Sequence, residues 1–270
     1  MNEFYGYDPR IERVEELVKN CLNSDYLMSS TFTPTEPPRF IDPRTWHRIE
    51  NQGGIGSCQG HMQASMGEGC YWVATNGKVT QFSNIYAYYK TQQIDGLSGR
   101  DVGSTLSGGL TVVKNHGLCP LDVMPYPSRY SWNVPREADK AAADYKIKTG
   151  VVLRSERELF NFLATGQGFA GMGIMWNNIN TTAQGTIERY NYSGGGGHAV
   201  GILGYSERRK GDRPYYWVAN SWSERWGNKG WAEWSPDAMD EVFRGRYNTV
   251  VGYSDLESPH VRKIPNHMPW

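Results

Sequence analysis

The chain lacks the long hydrophobic runs of a membrane protein, since no apolar stretch approaches the roughly 18 residues of a spanning helix. It also lacks an excess of charge, because 28 lysine and arginine residues balance 28 aspartate and glutamate residues. We therefore expect neither nucleic acid nor a membrane as a partner. The opening letters MNEFYG contain no basic or strongly apolar region, so we expect no signal peptide.

Cysteine is scarce, and its spacing excludes several classes of site. The four cysteines show no CxxC pair and no disulfide-framework density: Cys21, Cys58, Cys70 and Cys119. We expect Cys70 and Cys119 to be small buried residues and the compartment to be cytoplasmic or otherwise reducing, which includes a virion-associated setting. The cysteines and six histidines have no metal-ligand spacing, so no metal and no cofactor is expected.

Aromatic residues, by contrast, are abundant: ten tryptophans and seventeen tyrosines can fill a substantial core and line a cleft. The 270 residues suffice for one two-lobed domain or two small ones. Helical patterns prevail in the first half, at 57–75, 82–90 and 110–115. Short apolar runs after Pro127 predict strands, such as those at 147–153, 199–205, 215–220 and 230–234.

The most informative residue is Cys58, which follows a glycine-rich turn that begins at Gln52. A helix starting here would stabilise the thiolate through its free N–H groups. Gln52 and the Cys58 backbone N–H can both donate to the oxyanion formed when the thiolate attacks a carbonyl. Downstream, His198 supplies a general base and Asn220 an amide that orients the imidazole. We therefore predict four catalytic residues: Cys58, His198, Asn220 and Gln52.

This order resembles the papain-like cysteine peptidases, in which a Gly-Ser-Cys type signature precedes a distant His and Asn. A polar insert at 206–212 accounts for the long spacing between His198 and Asn220 as an extended hairpin. Further similarities cover roughly residues 40 to 235, at 40–44, Glu68, 116–118, 125–126, 220–222, Trp226 and 230–231. The chain looks like a bacterial- or viral-type member without the usual prosegment and disulfides.

The resemblance implies an α+β fold with a helical lobe, an antiparallel β-barrel-like lobe and the active-site cleft between them. We expect an N-terminal helix and extended arm at 1–38 and the catalytic domain at 39–270. Within that domain, the helical lobe would span about 45–127, the β lobe about 128–255 and a C-terminal tail 256–270.

The resemblance also implies which residues bind a peptide or protein substrate: Gly103, Ser104, Gly197 and Trp222. Trp222 would shield the bond between Asn220 and His198, with Trp226 behind it. Glu68 is expected to be structural, as are His61, His116 and Asp101. Several positions depart from the family pattern, including Gln59 for an aromatic, Ser104, Ser223 and Arg225 for glycines, and Ile55 and Asp101 near the missing cysteines.

The N-terminal arm permits two interpretations. Residues 8–23 predict a helix that Asp8 caps, with one apolar stripe that includes Leu17, and the proline-rich residues through Pro38 predict an extended segment. The arm can pack on the back of the β lobe, the simpler interpretation, or lie across the cleft as a short inhibitory segment. We predict that it limits access to the cleft, because one apolar stripe offers little surface for directing folding.

The function predicted from these residues is a cysteine endopeptidase that forms a thioester acyl-enzyme. Two alternatives stay open. One is a structural or assembly-associated protein with the papain-like fold and a weak or silent site. The other is an acyltransferase that uses the same triad. The physiological substrate, the second-subsite preference and the oligomeric state are left open by the sequence.

Overall fold

Helices prevail up to about residue 145 and strands thereafter in the computed structural model, which describes residues 6–21, 37–166, 168–177, 179, 181–182, 184–191 and 194–259. The helices are α1 (Val14–Asn20), α2 (Cys58–Ala74), α3 (Asn84–Ile94), α4 (Leu106–Asn115), α5 (Arg136–Ala142), α6 (Glu156–Ala164) and α7 (Pro236–Arg244), with a 3₁₀ turn at Pro43–Thr45. The strands are β1 (Lys146–Leu153), β2 (Gly168–Trp176), β3 (Thr186–Ile187), β4 (Gly196–Lys210), β5 (Arg213–Ala219), β6 (Trp231–Trp234) and β7 (Thr249–Glu257).

The strands form one seven-stranded sheet in the order β1-β7-β2-β4-β5-β6-β3. Neighbouring strands within this sheet are antiparallel, except that β3 and β6 pair in parallel. The predicted α+β class is confirmed, although the described strands form an open sheet with β1 and β3 at its edges rather than a closed barrel. β7 lies between β1 and β2, so residues 256–257, expected in the C-terminal tail, belong to the sheet.

Helix α2 lies at the centre of the molecule and is buried on almost every side. It contacts α3 on one side and strands β2, β4 and β7 on the other. A Cβ atom at Gly67 would collide with Leu118, and one at Gly69 would collide with the ring of Phe169. These two glycines therefore permit the close approach of α2 to Leu118 and to Phe169 of β2.

Helix α1 is shorter than the sequence predicts. Asp8 bonds to Arg10 instead of capping a helix, and α1 begins only at Val14. Residues 22–23 of the predicted helix lie outside the described part of the chain. Leu17 is fully buried and the partly buried Val18 packs against the same core cluster, whereas Ile11 and Val14 are largely exposed. Contacts that residues 6–12 make elsewhere override local helix propensity.

Six elements that the sequence analysis did not identify complete the fold: α5, α6, α7, β2, β3 and β7. Ala138 and Ala142 of α5 pack in one cluster with Tyr86 and Tyr89 of α3, so helical packing continues beyond residue 127. Helices α6 and α7 instead pack on the sheet through residues such as Leu159 and Met239. Capping signals at Ser155 and Ser235 precede both helices.

The cysteines are all free, and Cys70 and Cys119 are buried as expected. Among the described helices, none combines the length and the apolar character needed to cross a bilayer. The described residues likewise contain no group of three or more side chains placed to hold a metal ion.

Candidate active site

Three of the predicted catalytic residues come together where α2 meets β4 and β5. Cys58 is the first residue of α2, and its Sγ accepts a hydrogen bond from the Ala199 N–H at 3.3 Å. His198 precedes Ala199 on β4, and its Nε2 lies 2.8 Å from Oδ1 of Asn220. Asn220 directly follows β5, which pairs with β4 through Gly201 and Ala219. The fold thus places thiol, imidazole and amide side by side.

Aromatic rings enclose the His198 imidazole on two sides. Trp222 stacks on it with ring centroids 4.6 Å apart and an interplanar angle of 22°. Trp176, at the end of β2, meets it edge-on at 4.9 Å and also packs against Trp222. Trp226 lies behind Trp222 at 6.1 Å. Trp176 was not identified from sequence, because only the pairing of β2 with β4 brings it opposite Gly196.

Gln52 joins the loop before Cys58 to the segment that carries Asn220. Its backbone N–H donates to the Ser221 carbonyl at 2.8 Å, and its Oε1 accepts from the Ser221 hydroxyl at 2.7 Å. Its Nε2 donates to the Ile55 carbonyl at 3.0 Å, inside the same loop. These contacts fix the amide on the Cys58 side of the cleft.

The site is closed to solvent, and this burial controls its electrostatics. Cys58 and His198 are both 0% exposed. Burial raises the pKa of the Cys58 thiol to about 12, against smaller lowering effects from the N–H groups of Ala199 and Gln59. Burial lowers the pKa of His198 to about 4, although the hydrogen bond to Asn220 acts in the opposite direction. In this closed state, burial therefore favours a neutral thiol and a neutral imidazole, in contrast to the stabilised thiolate expected from the helix terminus.

The start of the arm closes the site. The Ser104 N–H donates to the Gly6 carbonyl at 3.1 Å, and the Tyr7 N–H donates to the Gly197 carbonyl at 3.4 Å. Tyr7 is fully buried. Two of the predicted substrate-binding residues, Ser104 and Gly197, thus bind the chain's own backbone. No sequence signal identified Tyr7, because its burial depends entirely on contacts with distant residues.

The end of the arm lies elsewhere, along β4. Ile41 and Tyr205 exchange backbone hydrogen bonds of 2.8 and 3.1 Å, and the Tyr205 hydroxyl donates to the Pro38 carbonyl at 2.7 Å. Residues 22–36, which connect the two parts, lie outside the described residues. The first described part of the arm thus lies in the cleft, and its end at Pro38 lies against β4.

Other predicted residues support the cleft walls. The Gly103 N–H donates to the Tyr88 hydroxyl at 3.0 Å, so the Tyr88 side chain holds the Gly103 backbone in place. Two departures from the family pattern contact each other, since the Ser104 hydroxyl donates to Gln59 Oε1 at 3.1 Å. Asp101 accepts bonds from the Gly56 N–H at 3.0 Å and the Tyr88 hydroxyl at 2.8 Å. Where the cysteine pair is missing, hydrogen bonds connect the two loops.

Two buried polar residues of α2 have structural partners. Glu68 accepts bonds from His47 Nδ1 at 2.8 Å and from the Phe82 N–H at 3.1 Å. His61 Nδ1 lies 3.0 Å from the Ser57 carbonyl, and burial lowers the pKa of this histidine to about 4. His61 thus braces the first turn of α2 as a neutral ring.

Comparison with known proteins identifies a family and several relatives. A family model described as "Papain family cysteine protease" matches residues 37–243. The chain is 27% identical over 241 residues to the cysteine protease Amb a 11.0101 of Ambrosia artemisiifolia, covering 83% of this chain and 56% of that protein. It is 30% identical over 209 residues to cathepsin Q of Rattus norvegicus, covering 74% and 59%. The chain thus spans little more than half the length of these curated relatives.

Solved structures share the fold. Xylellain, a cysteine protease from Xylella fastidiosa, superposes with a TM-score of 0.69 at 20% identity, covering 97% of each chain. The proform of Amb a 11 from ragweed superposes with a TM-score of 0.64 at 21% identity, covering 85% of this chain and 67% of that one. The overall fold of the chain is therefore shared with these proteases.

Proposed function

Because the chain belongs to the papain family of cysteine proteases, we propose that it hydrolyses peptide bonds through a thioester acyl-enzyme, with Cys58, His198 and Asn220 as its triad. The observation that carries this proposal is the convergence at the start of α2. There, Cys58 Sγ contacts Ala199, the residue that follows His198, while His198 is held by Asn220.

The orientation of the His198 ring indicates which of its nitrogens takes part in proton transfer. Asn220 Oδ1 engages His198 Nε2, so we assign Nδ1 to the chemistry of Cys58. In acylation, the thiol proton moves to Nδ1, and Sγ bonds to the scissile carbonyl carbon. The C–N bond then breaks, and the leaving amine takes the proton from the imidazolium. In deacylation, His198 accepts a proton from water as the water oxygen attacks the thioester, which releases the acid and restores the thiol.

The surrounding groups act on this sequence without reacting. Asn220 is neutral, so it orients the imidazole without competing electrostatically with a thiolate for the imidazolium. Trp176 and Trp222 cover the bond between His198 and Asn220 with rings, which keeps water from replacing it. Gln52 and the Cys58 N–H are the proposed donors to the oxyanion, which carries the charge that develops during attack.

Alkylation by an epoxide-bearing peptide inhibitor, read out by mass spectrometry of the modified peptide, tests the activated thiol. We expect label on Cys58 in the parent and in Cys119→Ala, a matched loss of a buried thiol outside the site. We expect no label in His198→Ala, which lacks the proton acceptor, and slower label in Asn220→Ala. Hydrolysis of a peptide library should disappear in Cys58→Ala, and hydrolysis that persists at the parent rate would overturn the proposal.

A further inference from the structure

A small cavity lies behind the proposed triad, between α2 and the strands β4 and β5. His61 and Ser65 line it from α2, Asn220 lines it from the end of β5, and Glu50 reaches it from the loop before α2. The space open to the centre of a water molecule is about 10 Å³, roughly the minimum that one ordered water needs. The cavity therefore has room for a single water.

The amide of Asn220 has an unused hydrogen-bond donor at this cavity. Its Oδ1 lies 2.8 Å from His198 Nε2 and accepts the Ser221 N–H at 2.8 Å. Because a backbone N–H can only donate, the contact with Ser221 fixes which end of the amide is the oxygen. Nδ2 is then buried, with no acceptor among the described residues. A buried donor without an acceptor costs free energy, so Nδ2 requires an acceptor from the cavity.

The His61 ring has an unused hydrogen-bond acceptor at the same cavity. Its Nδ1 lies 3.0 Å from the Ser57 carbonyl oxygen, which can only accept, so Nδ1 carries the proton. Burial lowers the pKa of this histidine to about 4, so the ring is neutral and Nε2 keeps its lone pair. Nε2 is buried as well, with no partner in the described part of the chain. One residue at the cavity thus offers a donor, and the other offers an acceptor.

The chemistry of these two groups selects water as the molecule between them. The bridging molecule must accept a hydrogen bond from Asn220 and donate one to His61, and water does both. A metal cation or an ammonium ion has no lone pair with which to accept. Burial, and then the nearby Glu68 carboxylate, raise the pKa of Glu50 to about 8. At pH 7 the Glu50 carboxyl is therefore largely neutral and lacks the charge that a bound cation requires.

We propose that a water in this cavity accepts a hydrogen bond from Asn220 Nδ2 and donates one to His61 Nε2, and that His61 is thereby a positioning residue for Asn220. This inference rests on the proposed function, in which Asn220 orients the His198 ring, and adds a residue to it. An amide held only through its oxygen can turn about that atom, whereas an amide held at both ends keeps its plane. Because hydrogen bonds weaken as they bend, a fixed plane keeps the bond to His198 aligned.

The variants His61→Asn and His61→Gln separate the two nitrogens of the ring. Asparagine places its amide near the position of Nδ1, so it keeps the bond to the Ser57 carbonyl and removes the acceptor at the cavity. Glutamine reaches the position of Nε2, so it restores a polar group at the cavity and gives up the bond to Ser57. We expect kcat to fall about tenfold in His61→Asn, with little change in KM, and to stay within about threefold of the parent in His61→Gln.

A role limited to bracing the first turn of α2 predicts the opposite order of the two variants, and that order, or equal losses, would overturn the proposal. His116→Asn removes an imidazole outside the site and should leave kcat unchanged. The Asn220→Ala background shows whether His61 acts through Asn220. There, His61→Asn should lower kcat by less than about twofold further, because the amide that the water holds is gone. A full loss in both backgrounds would contradict a positioning role.

NMR spectroscopy of the Cys58→Ala protein, with His61 unchanged, separates this inference from the proposed function because it needs no hydrolysis. Nitrogen-15 spectra of the His61 ring should show a protonated Nδ1 and an unprotonated Nε2, and the Asn220 side-chain amide should show a nuclear Overhauser effect to a long-lived water. A protonated Nε2, or no such effect, would overturn the water bridge and leave the protease intact. Both signals, in a protein whose parent form hydrolyses no peptide, would support the bridge and overturn the proposed function.

Discussion

At Cys58 and His198, burial rather than the helix terminus decides the charge state. The start of α2 favours a thiolate, yet full removal from water favours the neutral forms of both groups by a larger amount. We therefore expect a thiolate–imidazolium pair only when residues 6–7 have left the cleft and water reaches both groups. The charge states of Cys58 and His198 thus depend on how far the site is exposed to water. Single substitutions should test the chemistry and the exposure separately.

Gln52→Ala should lower kcat by on the order of 10²-fold with little change in KM, as expected for one oxyanion donor. Because Gln52 also bonds to Ser221, the Ser221→Ala variant provides the control: it removes that bond and retains the amide. Steady-state kinetics on one peptide compare the two. An equal loss of kcat in both variants would assign Gln52 a positioning role instead.

His61→Asn should reduce the dependence of stability on pH. The folded pKa of His61, about 4, lies below the ordinary value of about 6.5, so unfolding takes up a proton. Its contribution to stability is present above pH 6.5 or so and is lost as pH falls toward 4, at about 1.4 kcal/mol per pH unit. Denaturant unfolding of parent and variant at several pH values measures this slope.

The half-buried His116 is the control for that measurement, since its pKa is also lowered by burial but it does not touch α2's first turn. His116→Asn should change the slope less than His61→Asn does. A slope unchanged in His61→Asn would show that this ring is not held neutral in the folded protein.

At the scale of elements, the loop before α2 is fixed by polar contacts from neighbouring segments. Asp101 holds Gly56, Tyr126 donates to the Gln52 carbonyl at 2.9 Å, and Ser221 holds the Gln52 side chain. The catalytic loop is therefore attached to both lobes. A glycine-rich loop has little conformational preference of its own, so these hydrogen bonds set its conformation.

Asp101→Ala should test this attachment, because it leaves the Gly56 N–H and the Tyr88 hydroxyl without their shared acceptor. We expect the free energy of unfolding to fall by about 1–3 kcal/mol and kcat to fall with it, since the same loop carries Gln52. Thermal unfolding and peptide hydrolysis are the measurements. Asp212→Ala, in the exposed hairpin, should change neither, and a parent-like Asp101→Ala would show that other contacts suffice.

For the whole molecule, the described residues of the arm pack into the same core as α2 and the sheet. Tyr7, Leu17 and Cys58 belong to the same hydrophobic cluster, which also includes residues of the sheet. Access to the thiol is therefore coupled to stability. Displacing the residues that cover Cys58 also exposes apolar surface that is buried in the core. This coupling gives the arm a measurable effect on both activity and unfolding.

Deleting residues 1–28 should raise kcat/KM on small peptides and speed alkylation of Cys58, because it removes the segment over the thiol. The same deletion removes the buried Leu17, so the free energy of unfolding should fall by a few kcal/mol. Tyr7→Ala is the control that removes only the buried ring and retains α1. Alkylation at the parent rate in both variants would contradict a role of the arm in access.

Residue type, order and the flanking glycines and tryptophans were enough to predict the family, the proposed triad of Cys58, His198 and Asn220, and the start of α2 after Ser57. These signals depend only on residue types and on their order along the chain. Only the three-dimensional contacts showed that burial opposes ionisation of the Cys58 thiol, that Trp176 covers His198 and that the Tyr7 ring packs against Gly173. Each of these depends on contacts between residues far apart in the chain, where burial and close approach outweigh local propensity.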